Sequence, residues 1–297
     1  MTTKLERTHG EIMARSIKKA ESITRLALYL DALKELRSAS DQINLYRGHS
    51  KTTYRLVPSL FRQKEHRRDE KSIRRELISL HPGEFVEDRS VFDQLVRMQH
   101  FSLLTRMMDV SYNPLVGLYF CCKGSRDEDG HVLQFTINKN KLKYYDSDAV
   151  TCVANLSNLS GGERNQLRAM ETKTALCGSR AGKRLLQFIR AEKPHFLPEI
   201  IPKDLHITHI VKPKQNNKRI IAQQGAFLLF GLESELKDDN DSGIRVNRID
   251  IPASAKKQLL NELDSININE SALYPEIESA ARYIMSKITP LAGDFED

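Results

Sequence analysis

Nowhere does the sequence offer an apolar run long enough to cross a bilayer, so no membrane association is expected. Cysteines are few, 4 in 297 residues, and no two stand at CxxC spacing. Cys121 and Cys122 are adjacent; on a strand they would point to opposite faces and could not share one zinc ion. With Cys152 and Cys177 they read as reduced structural thiols of a cytoplasmic protein, and no metal site is expected. The opening stretch, MTTKLERTHGEIMARSIKKAES, has no apolar segment after its basic residues, so neither a signal peptide nor a transit peptide is expected. Long Pro/Gly/Ser linkers and internal repeats are missing too. The expectation is one domain over residues 1–297 with a core over about 22–288.

What is present suits a globular chain. Hydrophobic residues make up 40% and charged residues 29%, enough apolar material for a full core without metal or disulfide help. Lys and Arg number 46 against 39 Asp and Glu, a formal net charge of +7. Basic residues concentrate in 62–75 (RQKEHRRDEKSIRR) and in 164–190, while the chain after Leu232 turns acidic. That balance suits RNA or DNA as a partner, through the surface field and counterion release. It equally suits a solvated basic surface with no partner.

Hydrophobic spacing predicts a helix from Ser22 to about Arg37, with Ser22 as its N-cap. A strand through Ile43, Leu45 and Tyr46 follows, ended by Gly48. A charged helix from Arg62 to Leu80 stops at His81-Pro82-Gly83, and another spans 88–100. Pro114 suits the first turn of a buried helix over 113–122, although a strand remains open for its second half. Asp129-Gly130 is a turn signal before a strand at 131–137. Further strands are predicted at 206–211, 226–230 and 245–251, with terminal helices at 254–263 and 272–288. Segment 156–193 is polar, basic and punctuated by glycine, and is expected to be a surface insertion. The fold class is α+β, a central sheet flanked by helices.

Three polar segments stand out. In Tyr46-Arg47-Gly48-His49-Ser50, an Arg at a strand end projects its planar fork toward whatever lies above, which suits phosphate or carboxylate. It equally suits an internal carboxylate or a helix C-terminus. The group Gln99-His100 and Thr105-Arg106-Met107-Met108-Asp109 embeds polar residues in apolar sequence, where each must find a hydrogen-bond partner. Arg106 and Asp109, three apart, fit an ion pair on one helical turn, and a direct role for Asp109 is equally open. His100 is either a satisfied structural histidine or a contact to a base or ribose. In Arg219–Phe227 (RIIAQQGAF), Gln223 and Gln224 stand at a corner before a buried strand, placed to hold ribose hydroxyls or to cap the preceding helix.

Together the blocks YRGHS…YRLVPSLFR, QHFSLLTRMMDVSYNPLVGLYF, RIIAQQGAF and the late ALYPEIESAARYI resemble the FRG domain family, named for a Phe/Tyr-Arg-Gly motif. That family's pattern looks like (F/Y)RG…LIPSLFR, QHYGLPTRLLDWTxNPLVALYFA and RIxAQxGxF. The likeness runs from about Ser22 to Ile284. Ser102-Leu103-Leu104 replaces the usual Gly-Leu-Pro, and Met107-Met108-Asp109-Val110 replaces Leu-Leu-Asp-Trp, which removes an aromatic wall that Tyr112 or Phe101 would have to supply. Arg47, Gly48, Gln99, His100, Thr105, Arg106, Asp109, Asn113, Pro114 and Gln223 or Gln224 keep the pattern.

The block order is also similar, more distantly, to the mono-ADP-ribosyltransferase fold with its split sheet. That resemblance implies NAD as substrate, held by Arg47, Gly48 and Thr105, with Tyr119 or its neighbours lining the nicotinamide pocket. It implies a catalytic group drawn from Arg47, His100, Arg106, Asp109, Gln223 and Gln224, with Gln223 or Gln224 at the late position that usually carries an acid. It further implies transfer of ADP-ribose to a macromolecule, RNA or DNA favoured by the charge. A toxin or phage-defence effector with a neutralising antitoxin or chaperone protein would fit. The competing reading is a non-catalytic nucleic-acid or nucleotide-binding module.

Overall fold

The computed structural model describes residues 22–36, 38–237, 240, 242–276 and 283. Its strands are β1 (Gln42–His49), β2 (Met107–Ser111), β3 (Gly130–Asn138), β4 (Lys143–Tyr144), β5 (His209–Lys212), β6 (Gly225–Leu229) and β7 (Arg245–Ile251). They form one open sheet in the order β4-β5-β6-β2-β1-β3-β7. Neighbours are antiparallel except β4 and β5. β1 pairs with β3 along its whole length, whereas it meets β2 at a single bridge, Tyr46 opposite Ser111. Two half-sheets thus touch at one point and separate beyond it.

The helices flank this sheet, so the α+β class expected from the sequence is the class found. The first four are α1 (Leu26–Glu35), α2 (Lys64–Leu80), α3 (Val91–His100) and α4 (Pro114–Lys123). Then come α5 (Asp148–Asn155), α6 (Gly161–Arg168), α7 (Lys173–Gly178) and α8 (Arg180–Glu192). Short α9 (Pro202–His206) and α10 (Lys218–Ala222) precede α11 (Ala253–Ser265) and α12 (Glu270–Leu273). α4 begins as its sequence predicts: Pro114 stands in its first turn, and the Asn113 side chain accepts from the Leu115 amide. The whole segment is helical, which closes the strand alternative and puts both Cys121 and Cys122 into the core.

Side chains alternate across a strand, so Tyr46, Met107, Asp109, Ser111, Phe227 and Leu229 share one face of the sheet. Two separate cores lie on that face. One joins Tyr46, Val132 and Ile249 to α1, α4 and α11. The other joins Met107, Phe227 and Leu229 to α3, α5 and α8. On the opposite face a third core, with Leu45, Leu133, Met108, Val110 and Leu228, runs across both half-sheets. The first face therefore has a valley between its cores, above the single bridge.

Several expectations fail for identifiable reasons. α1 starts at Leu26 rather than Ser22, with Arg25 at the N-cap and no side-chain cap. Its buried residue is Tyr29, whose hydroxyl donates to the Pro114 carbonyl at 2.8 Å, while Leu30 is exposed. β1 continues through Gly48 to His49. Segment 156–193 is not a surface insertion in its packing: Leu156, Leu167, Leu176, Leu185 and Ile189 are fully buried. Apart from the buried Arg164, its basic residues lie mostly on the outer helix faces and disguise an amphipathic pattern. The helix predicted over 272–288 is seen only where α12 ends, and its remainder lies largely outside the described residues. Among the described residues no helix is long and apolar enough to cross a membrane, and no group of three His, Cys, Asp or Glu is placed to hold a metal ion.

Candidate functional site

Where β1 and β2 part, a cleft of about 230 Å³ opens. Close packing of α4 on β1 forms one wall. A Cβ on Gly48 would overlap the Gly117 carbonyl oxygen and the Cys121 amide nitrogen, so the glycine of the Arg-Gly pair is needed for helix–strand approach. That approach sets Phe120 at the cleft wall. The C-terminal turn of α3 brings Gln99 and His100 to the second wall, and α10 brings Arg219.

Arg47 crosses the opening. Its Nη1 donates to the Asp109 carbonyl at 2.6 Å, and its Nε donates to His49 Nε2 at 3.2 Å. It thereby ties the separating strands together and keeps its fork at the cleft. Although the cleft leaves the side chain partly open, protein surrounds it closely enough that burial lowers its pKa, opposed by Asp109 and reinforced by Arg62. Arg62 and Arg219 also line the cleft. Arg219 stacks on the Tyr274 ring at 4.7 Å. None of the three enters an ion pair among the described residues.

Asp109 is the exposed position of β2 and the carboxylate that lines the cleft. It accepts from Gln99 Nε2 at 2.8 Å, and Gln99 in turn accepts from the Thr105 hydroxyl at 2.5 Å. Thr105 is buried beneath and orients Gln99 without lining the cleft. His100 Nδ1 lies 3.0 Å from Asn217 Nδ2, and burial followed by the charge of Arg219 lowers its pKa, which keeps the ring neutral. His49 is held further down, to about 3, by burial first and then by Arg47 and His131.

The predicted pairing of Arg106 with Asp109 does not occur. Three residues apart on a strand means opposite faces, and the helical spacing rule does not apply. Arg106 turns away, 1% exposed, into a fork with Glu70 of α2, Nε and Nη2 meeting the two carboxylate oxygens at 2.7 and 2.6 Å. Its Nη1 donates to the Phe230 and Gly231 carbonyls. Burial pushes the Glu70 carboxyl up, but Arg106, Arg164 and Arg74 outweigh it and hold the group below its ordinary range.

Tyr119 also misses the cleft: it is buried in the core between α4 and α11, with Lys123 over its ring, and its neighbour Phe120 takes the cleft position. Gln223 lines the cleft, but its side-chain amide donates to the Leu273 carbonyl, and its backbone carbonyl accepts from Ser111 Oγ. Gln224 stands outside, exposed, in a left-handed turn with φ of 47° that starts β6. Tyr54, Arg62 and Arg219 are cleft residues that the sequence reading did not single out. Arg62 and Arg219 begin or end the quoted motif blocks, which was the available signal.

Residues 42–130 match the family model of the FRG domain. The span takes in β1, β2 and α4, and so the strands and helix that build the cleft, while the Arg219–Phe227 block lies beyond it. No curated protein and no solved structure matches the chain.

Proposed function

We propose, from the premise that residues 42–130 carry an FRG domain, that the cleft binds NAD and transfers ADP-ribose to a macromolecule, nucleic acid before protein. The observation that carries this reading is the cleft's charge arrangement. Three arginines without ion-pair partners among the described residues stand around one carboxylate, Asp109, beside the Phe120 and Tyr54 rings.

The residue types suit the chemistry. Arg47, Arg62 and Arg219 complement a diphosphate, and a guanidinium fork meets two phosphate oxygens at once. Phe120 and Tyr54 offer ring faces or edges to the nicotinamide. When the bond between ribose C1′ and the nicotinamide nitrogen breaks, the electron pair leaves with nicotinamide and positive charge grows on the ribose. Asp109, fixed by Gln99, stabilises that charge; the acceptor nucleophile, or water where no acceptor is present, then bonds C1′ and loses its proton to solvent. Fixed charge of this kind is commonly the largest single contribution to such catalysis. Asp109, not Gln223 or Gln224, supplies the acidic role in this account. Modification of nucleic acid would make the protein an effector of the toxin or phage-defence kind, restrained by a neutralising partner.

The test is release of free nicotinamide from NAD by the purified protein. The parent should release it. Asp109→Asn should lose about 10²–10³-fold in rate with an unchanged melting temperature, since among the described residues its side chain accepts from Gln99 alone. An Asp109→Asn protein with parental turnover would remove the catalytic reading. NAD binding without nicotinamide release by the parent would leave a nucleotide-binding module in its place.

A further inference from the structure

A second cavity, of about 390 Å³, lies next along the chain from the cleft: Arg62 lines the first opening, Phe61 and Lys64 the second. The two basic stretches of the sequence meet here, α2 bringing Arg67 and Arg68, and α6 bringing Arg164 and Arg168. Its floor is rigid. Arg106 and Arg164, both nearly inaccessible, converge on Glu70 at 2.6 and 3.2 Å, and Arg164 also donates to the carbonyls of Arg67 and Arg68. With Lys64, six cationic side chains line the cavity. Three carboxylates engage them: Glu70, Asp69 on Arg68, and Glu233 at 3.6 Å from Arg168. Lys64 and Arg67 enter no ion pair among the described residues. Burial, and then the like charge of Arg168, lowers the pKa of Arg67.

Two further features point to an anion, and a third to a nucleobase beside it. The first turn of α6 enters the wall at Gly161 and Gly162, whose N–H groups have no acceptor within the helix; the Ser160 hydroxyl is already committed to the Glu163 amide. A Cβ on Gly162 would meet nothing within 4 Å, whereas one on Gly161 would touch Arg68, so the turn is open on its Gly162 side. Phe61 adds an aromatic surface, with Arg67 5.2 Å from its ring centre. The positive excess is three charges. A phosphodiester carries one, so the complement is a run of consecutive phosphates rather than a single one.

We infer that this cavity holds the phosphodiester backbone of single-stranded nucleic acid and leads it toward the cleft. Its role as an acceptor-holding surface rests on the proposed transfer reaction; the binding itself does not. Three phosphate contacts on a single strand imply a log–log salt slope of roughly −2.

The experiment is fluorescence anisotropy of a labelled single-stranded 12-mer RNA, titrated with the full chain between 50 and 200 mM NaCl. Lys64→Gln with Arg68→Gln removes two exposed cations that anchor no core element. That variant should flatten the slope by about 1.4 and weaken binding at 50 mM salt by at least about tenfold, at a parental melting temperature. Saturating NAD should leave RNA binding in place. Parental affinity in the double variant, displacement of RNA by NAD, or capture of pyrophosphate without RNA would each overturn the inference. Nicotinamide release measured without RNA reads the cleft separately, so failure of one reading does not masquerade as failure of the other.

Discussion

Glu70→Gln breaks the pair that Arg106 makes in place of the one its spacing to Asp109 suggested. In the parent, Glu70 and Arg106 are 4% and 1% exposed at their side chains and meet through two short bonds, with Arg164 adding a third contact at 3.2 Å. Removing the charge on Glu70 leaves one guanidinium fully buried and another nearly so, without a counter-ion. The cost of breaking a buried pair from one side is about 3–5 kcal/mol, far above the ~1 kcal/mol or less of an exposed pair. For a chain of this size each kcal/mol moves the melting point by about 2–4 °C, so the variant should melt roughly 6–20 °C below the parent. Because the pair is sealed from solvent, the loss should persist from 0.1 to 1 M NaCl. Thermal unfolding followed by circular dichroism measures it. A Glu70→Gln protein melting within about 2 °C of the parent would refute the structural role assigned to Arg106 and reopen its place in the chemistry.

Two further perturbations read the fold around the cleft. Gly48→Ala forces a methyl into the α4 backbone, so the protein should lose more than about 2 kcal/mol by urea denaturation; unchanged stability would contradict the packing. His49, lowered to about 3 in the fold, should contribute stability in full above its unfolded value near 6.5. That contribution is lost as pH falls from about 6.5 to about 3, at up to roughly 1.4 kcal/mol per pH unit, because the unfolded chain takes up the proton first. His49→Gln should flatten the acid limb of melting temperature against pH, and parallel curves for parent and variant would sink the assignment.

Legibility followed how local the determining physics was. β7 at Arg245–Ile251 and the start of α4 at Asn113-Pro114 agree with the sequence reading because alternation and capping are nearest-neighbour signals. β2 was hidden because Arg106 and Asp109 made an apolar strand look like a polar loop. Their true partners, Glu70 and the Gln99 amide, lie 36 and 10 residues away. Glu70 itself was invisible inside a helix that reads as uniformly charged. The choice between Tyr119 and Phe120 depended on the rotation of α4, which the packing of Gly48 against Gly117 sets across the chain. Arg47, Gly48, Gln99, His100, Asp109 and Gln223 do converge on one cleft; Thr105 supports it from below, and Arg106, Tyr119 and Gln224 stand outside.

Calorimetric titration of NAD into the parent and into Arg47→Lys tests the role of the cleft most directly. An ammonium keeps the charge but cannot both reach the Asp109 carbonyl and grip two phosphate oxygens. The parent should bind NAD, and the lysine variant should bind it about 10–100-fold more weakly, the loss of charge-assisted hydrogen bonds. No binding by the parent, or equal affinity in the two proteins, would contradict the reading of the cleft.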